Sequence, residues 1–311
     1  MPPFPKPGRK ATLAAGGAQR QQQYPRLNAE MACDTAFRAI AGRCLGNLTA
    51  NHEATRRGNP GALHQMRIAL TRLRTAILFF SPMVADSERT RIREELKWLN
   101  AHLGAVRDLD VAIERLKQAN KRGPHAISDF RSWDVKRADS QRQLARALRS
   151  ARYRRLIEST SGWIENGPWS ITGGKQATKE RAGPLAGYGA GKLARWREKL
   201  LKKCRRVGNM GTEKRHRLRL LNKRLSYSIE FLEDLFPDKR FSGQQAALKY
   251  LRKAQRSLGQ LNDAVNFQSL ATALEQDGVP APIQFLSPKR EKRLLKTATA
   301  AYRKLAGIGR P

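Results

Sequence analysis

The chain has 311 residues, of which 61 are Lys or Arg and only 26 are Asp or Glu, so its formal net charge at pH 7 is +35. This length allows one large domain or two of ordinary size, and the charge favours a densely anionic partner. No run approaches the roughly 20 apolar residues of a membrane span, which excludes a membrane partner. Three cysteines at irregular spacings exclude a disulfide framework and suit the cytoplasm.

The chain divides into a tail and two similar halves. Residues 1–26 combine Pro, Gly and Gln with basic side chains and carry no acid, which predicts a disordered basic tail. Helical periodicity covers most of 27–306, and the alternation typical of strands is missing. We predict an all-α fold with a first helical repeat at about 27–165, a flexible Gly-rich linker at about 166–191 and a second helical repeat at about 192–306.

The first repeat contains an amphipathic helix at about residues 61–80. At about 100° per residue, one of its faces is an apolar stripe, formed by Met66, Leu70, Leu73, Ile77 and Phe80. The flank beside the stripe carries His64, Arg67, Thr71 and Arg74. One helix therefore offers a core face and a basic face side by side.

A second helix follows after a short turn and runs from about Ser87 to Leu103. Helices of similar length with a short connection form an antiparallel hairpin. Gly104 is predicted to end this helix, and Arg107 and Asp108 then fall in the first turn of a third helix. The hairpin places this corner beside His64.

Both features return in the second repeat. His216 and Arg219 occupy the places of His64 and Arg67, 152 residues later. The corner Leu103-Gly104-Ala105-Val106-Arg107-Asp108 likewise returns, as Leu258-Gly259-Gln260-Leu261-Asn262-Asp263. Two linked motifs in the same order twice indicate a duplication, and the same hairpin geometry places Asn262 and Asp263 beside His216.

The repeated histidines allow several interpretations. A structural histidine at a helix start is the simplest one for either residue alone, but it does not explain why His and Arg recur together. Zinc needs about three protein ligands, and an Arg three residues after each histidine would repel a cation. We therefore expect no metal site and no cofactor, and favour either anion binding or a His–Asp bridge that orients the basic faces.

The acids of the two corners suit a structural role. Asp108 and Asp263 hold matching places, and an acid in a first helical turn is commonly a dipole or capping partner. Asn100 and Gln255, each three residues before the corner leucine, complete the same predicted polar junction. No pair of carboxylates suited to general acid–base catalysis stands out, so we expect a protein that is not an enzyme.

The basic flanks of the two histidine helices could face one another across a pseudo-twofold axis. A groove lined in this way would hold a chain of phosphates, since guanidinium groups grip phosphate oxygens in a bidentate fork. Nucleic acid is the competing partner. The tryptophans are scattered and do not accompany the motifs, unlike a base-stacking platform, yet nonspecific backbone binding remains an alternative at this charge.

The four motifs, in this order, closely resemble the CHAD family, the conserved histidine α-helical domain, over roughly residues 27–306. The resemblance implies two similar four-helix bundles around a pseudo-twofold axis and a basic central groove or pore that binds inorganic polyphosphate. It also implies an association with polyphosphate granules. Carried onto this sequence, it gives the binding candidates His64, Arg67, Arg72, Arg74, Arg107, His216, Arg219, Lys223 and Arg224.

The chain departs from the family pattern at two positions. Thr71 and Ser226 stand where the family often has a basic residue, and this is expected to thin the lining of the groove. Some relatives carry a fused triphosphate-tunnel domain with a Glu-x-Glu-x-Lys strand, and that pattern does not occur here. We therefore expect a stand-alone binding module. The alternative is a metal-dependent phosphohydrolase or triphosphatase whose metal the His and Asp residues help to hold, and oligomeric state is left open.

Overall fold

The computed structural model describes residues 25–120, 131–235, 241–276 and 286–308, and in these ranges the chain is helical apart from its connections. The predicted all-α class is confirmed. Within the described ranges no strand forms, and a single β-bridge joins Ala32 to Pro184. Almost all of the predicted basic tail, residues 1–24, lies outside these ranges.

The helices follow one another closely along the chain. Those of the first half are α1 (Cys33–Ala50), α2 (His52–Arg56), α3 (Pro60–Phe79), α4 (Ser87–Asn120), α5 (Arg131–Arg149) and α6 (Ala151–Asn166). The following helices are α7 (Lys175–Ala182), α8 (Leu185–Cys204), α9 (Thr212–Phe231), α10 (Phe241–Gln276) and α11 (Pro288–Ala306). Short 3-10 turns lie at Pro168–Ser170, Val207–Asn209 and Glu233–Leu235.

Local sequence explains where α3 begins. Asn59 accepts a hydrogen bond from the backbone N–H of Ala62 through its side chain, and Pro60 follows at the first helical position. Both residues are favoured at a helix start. The Asn side chain accepts a hydrogen bond from a backbone N–H group that has no partner within the helix, and Pro has no backbone N–H group that would need one. This start gives His64 and Arg67 their positions in the first turns of the helix.

The predicted helix end at Gly104 is wrong, and so is the equivalent break that the pattern predicts between helices at about 243–258 and 262–276. Helix α4 continues through Gly104, and α10 continues through Gly259. A glycine inside a helix costs only about 1 kcal/mol relative to alanine, so long amphipathic helices with a buried face tolerate it. Arg107 and Asp108 consequently lie in the middle of α4 and do not cap a helix.

The predicted flexible linker at about 166–191 is also wrong, because this segment contains α7 and the start of α8. The guanidinium of Arg181 is buried and donates hydrogen bonds to three carbonyl oxygens, those of Met83, Trp169 and Thr172. Gly189 lies so close to buried Leu232 that a Cβ atom would stand 2.7 Å from its Cδ1. Gly189 therefore permits close packing of α8 against Leu232.

One hydrophobic core extends through both halves of the chain. Helices α3 and α9 contact each other, and so do α4 and α10, while α3–α4 and α9–α10 form the equivalent contacts within each half. This arrangement is compatible with the predicted duplication. A smaller cluster forms around Leu109, Trp133 and Phe267. None of the described helices is apolar over enough of its length to cross a membrane.

Candidate anion-binding groove

Helices α3, α4 and α9 enclose a groove of about 960 Å³. Eight cationic side chains line it: Arg67 and Arg74 from α3, Arg89, Arg93 and Lys97 from α4, and Arg219, Lys223 and Arg224 from α9. Among the described residues of the lining, Glu94 is the one acid, and its Oε2 lies 3.4 Å from Nζ of Lys97. The groove therefore carries a large excess of positive charge.

The structure brings seven of the predicted site residues together in this lining. They are Arg67, Arg74, Asn100, His216, Arg219, Lys223 and Arg224. His64 and Arg107 are not part of the lining but lie close enough to it to interact electrostatically. Partial burial, and then the charges of Arg107, Lys223 and Arg67, lower the pKa of His64.

Lys223 is partly buried among the other cations of the groove. Burial lowers its pKa to about 8, and the neighbouring charges of Arg219 and Arg67 act in the same direction. No carboxylate of the described chain lies within 4.0 Å of its Nζ atom, which instead stands 5.6 Å from the centroid of the Tyr227 ring. A bound anion would restore the stability of the charged amine.

A second group of like charges lies farther along the groove. Burial lowers the pKa of Arg74, and so do the charges of Arg224 and Arg93. Burial and Arg93 also lower the pKa of Arg224. Arg67 and Arg74 are seven residues apart on α3, which is about 10 Å along the helix axis. The two groups therefore form a track rather than a single point charge.

Arg67 is held in place by the first corner motif. Its Nη1 donates hydrogen bonds to the carbonyl oxygens of Leu103 and Gly104, at 3.3 and 3.2 Å, and lies 3.7 Å from Oδ1 of Asp108. A Cβ atom on Gly104 would stand 3.8 Å from this nitrogen, so a side chain longer than alanine would crowd it. The predicted proximity of the corner to the first histidine helix is therefore confirmed, although the corner is not a helix end.

The second corner fixes His216, because its Nδ1 and Oδ1 of Asn262 lie 2.6 Å apart in a hydrogen bond that the ring nitrogen donates. Because Nδ1 carries the proton of the neutral ring, Nε2 can donate to an anion only when the ring is in its imidazolium form. The predicted neighbour Asp263 instead pairs with Arg115 of α4, at 2.5 Å.

Asp108 of α4 makes the equivalent contact with α10, because it accepts a hydrogen bond from Asn266 of α10 at 3.3 Å. Burial raises the pKa of Asp108, and Asp263 contributes to the rise. The two corner acids therefore connect α4 to α10, and the capping role expected of them is wrong because both lie inside long helices. Across the described ranges, no group of three or more His, Cys, Asp or Glu side chains is placed to hold a metal ion.

Among the described residues, Asn100 and Gln255 do not complete the predicted polar junction with the corner acids. Asn100 lines the groove. Gln255 accepts a hydrogen bond from the buried amide of Asn222 at 3.0 Å, and the same amide also donates to the carbonyl oxygen of Leu251. Gln255 thus belongs to the interface between α9 and α10, because this amide needs acceptors there.

Arg72 is a third predicted binding residue that lies outside the lining. Its Nη1 donates to Oε2 of Glu230 at 2.8 Å, and its guanidinium lies over the rings of Tyr227 and Phe231. Since this carboxylate and these rings hold it at the contact between α3 and α9, Arg72 does not line the groove.

The two departures from the family pattern have different consequences. Thr71 lines the groove and donates its hydroxyl hydrogen bond to the carbonyl oxygen of Arg67. It therefore thins the basic lining, as predicted. Ser226 is buried and donates to the carbonyl oxygen of Asn222, so it lies outside the lining altogether.

The sequence reasoning missed the contribution of α4. Arg89, Arg93 and Lys97 recur at intervals of four residues, on the flank of an apolar stripe that includes Ile92 and Leu96. This spacing places them on one helix face. The periodicity was a usable signal, but these residues lie between the two repeated motifs and not within either.

Comparison with known proteins agrees with this architecture. A family model for the CHAD domain matches residues 39–272. The crystal structure of the CHAD domain from the plant Ricinus communis is 26% identical in sequence and superposes with a TM-score of 0.73, covering 95% of this chain and 99% of that one. No curated protein matches the chain. With its family match spanning most of its length and its fold shared with that structure, the chain belongs to the CHAD domain family.

Proposed function

We propose that this protein binds inorganic polyphosphate in the groove between α3, α4 and α9, and that it does so without catalysis. The observation that carries the proposal is the excess of cations over acids in the lining, eight against one among its described residues, with Lys223 partly buried among them. A polyanion that enters the groove would relieve the mutual repulsion of these side chains and release its own condensed counterions. Polyphosphate granules are the cellular site that such an activity fits.

The shape of the basic lining favours a linear polyanion. Two groups of cations lie along the groove, and arginines supply most of the donors. Arginine offers a planar fork that engages two phosphate oxygens at once. His216 also lines the groove, where Asn262 orients its ring, and in the imidazolium form its Nε2 adds a donor. A chain of phosphates can therefore meet a donor at each successive step.

The composition of the lining supports polyphosphate over nucleic acid. Among its described residues there is no Trp, Tyr or Phe on which a base could stack, whereas sequence-independent binding of single strands relies on such stacking. Duplex DNA can still bind through its phosphates alone. The two ligands therefore differ in expected affinity, and competition between them separates the proposals.

The test is a calorimetric titration with long-chain polyphosphate at near-physiological salt, followed by competition with duplex DNA at equal phosphate concentration. We expect saturable binding that DNA does not reverse. A parallel incubation with polyphosphate and Mg²⁺ or Mn²⁺ should release no phosphate. Failure to bind, or displacement of polyphosphate by DNA, would contradict the ligand, and release of phosphate would favour the phosphohydrolase alternative.

A further inference from the structure

The two halves of the molecule differ in charge at equivalent positions. Arg224 and Arg72 are 152 residues apart, the same interval that separates the two histidines. This interval also pairs Glu230 with Leu78. Arg224 and Leu78 line the open groove, whereas Arg72 contacts Glu230 at 2.8 Å. One half thus has a leucine where the other has an acid.

Glu230 joins two arginines from different helices. Its Oε2 accepts from Nη1 of Arg72 on α3, and its Oε1 accepts from Nη2 of Arg252 on α10 at 3.0 Å. Arg252 is also the counterpart of a groove residue, because it lies 155 residues after Lys97, the interval that separates the two corner motifs. The carboxylate therefore stands between two cations in the way that a phosphate group would.

A single ring separates this arrangement from the groove. The guanidinium of Arg72 lies 5.4 Å from the centroid of the Tyr227 ring, and the amine of Lys223, which lines the groove, lies 5.6 Å from the same centroid. The carboxylate of Glu230 is mostly shielded, with 18% of its side chain exposed. The basic lining of the groove is therefore followed, beyond the Tyr227 ring, by the pair of Arg72 with Glu230.

We infer that Arg72 and Arg252 form a second anion site, equivalent by the repeat to part of the groove, and that Glu230 occupies it as an internal anion. This inference rests on the proposed function. Because Glu230 is tethered, its effective concentration at the two guanidiniums is high, and an external phosphate would have to displace it and leave its charge poorly solvated. Polyphosphate is thereby restricted to the α3–α4–α9 side.

The experiment compares Glu230→Gln with the wild-type chain by calorimetric titration of tripolyphosphate. We expect the variant to take up one more tripolyphosphate per chain than the wild-type protein. Glu230→Leu reproduces the residue of the open half and should give the same gain, while Glu230→Gln keeps the size of the side chain and protects the fold. Glu233→Gln is the matched control, since Glu233 is exposed and carries the same charge.

The outcomes separate the two proposals. If Glu230→Gln gains one site and Glu233→Gln does not, the second anion site is supported, and adding Arg252→Ala to Glu230→Gln should abolish the gain. If the wild-type chain binds tripolyphosphate and Glu230→Gln matches Glu233→Gln in stoichiometry, the inference is overturned while the proposed function stands. If the wild-type chain binds no polyphosphate, the proposed function itself fails.

Discussion

Lys223 shows how a residue of the proposed binding groove can lower the stability of the fold. Its ammonium group is partly buried beside Arg67 and Arg219, and this environment brings its pKa down to about 8. A lysine whose pKa is lower in the folded state than in the unfolded state destabilises the fold at neutral pH, where it is charged in both. Function at such a site commonly comes at a cost in stability.

Replacing this lysine should therefore improve the fold and impair binding. For Lys223→Met we expect a gain of about 1 kcal/mol in unfolding free energy, which corresponds to about 2–4 °C in melting temperature for a large domain, and a loss of about tenfold in polyphosphate affinity, or about 1.4 kcal/mol. The stability gain should shrink as the pH rises above 8, because the wild-type amine then loses its proton in the folded state.

Lys203→Met is the control for this substitution. Lys203 is exposed on α8, so its removal should leave the melting temperature and the affinity nearly unchanged. Thermal unfolding at pH 7 and pH 9.5, together with calorimetric titration, measures both effects. A lower melting temperature at pH 7 in Lys223→Met, or an affinity equal to that of Lys203→Met, would contradict the role of this side chain.

Helix α8 shows that a glycine-rich composition does not by itself indicate a flexible linker. A run with glycines at 187, 189 and 191 is typical of a flexible linker, yet it forms the first turns of a helix against the core. Gly187 and Gly189 have different surroundings. Gly187 has open space where a Cβ atom would project, whereas the Cβ of residue 189 would collide with buried Leu232.

This difference makes a paired prediction possible. Gly187→Ala should stabilise the protein by about 0.5–1 kcal/mol, because alanine is the better helix former. Gly189→Ala should destabilise it by about 1–3 kcal/mol, because the added methyl overpacks the contact with Leu232. Urea unfolding measures both. Equal effects of the two substitutions would indicate that this segment is not a packed helix.

Periodicity predicted the helices whose ends carry local signals. The first histidine helix was expected at about 61–80 and spans Pro60–Phe79, where Asn59 and Pro60 mark its start. The glycines of the corner motifs gave the wrong helix ends, since a buried amphipathic face outweighs the local cost of one glycine. The sequence therefore predicted that these helices form, but it did not predict that α4 continues through Gly104.

The candidate site was only partly predictable, because it depends on contacts between distant parts of the chain. Arg67, Arg219 and Lys223 were found from the repeat, and they do line one groove. The pairing of Arg72 with Glu230 joins residues 158 positions apart, and no local sequence pattern predicts it. The arginines of α4 had a readable spacing, but only the meeting of α3, α4 and α9 makes them part of the site.

At the scale of the whole molecule, the central claim is that α3 and α9 meet so that their basic flanks share one groove with α4. The net charge of +35 attracts any polyanion to the surface. The proposed function instead attributes specific binding to the groove. A test must therefore change the groove without changing the total charge relative to its control.

The most direct measurement is the polyphosphate affinity of Arg219→Glu combined with Arg224→Glu, against Lys199→Glu combined with Lys203→Glu. Both pairs change the net charge equally, but Arg219 and Arg224 line the groove whereas Lys199 and Lys203 are exposed on α8. We expect the groove pair to lose about 100-fold or more in affinity at near-physiological salt, about 2.7 kcal/mol, and the control pair to lose much less. Equal losses in the two variants would show that overall charge, and not this groove, binds polyphosphate.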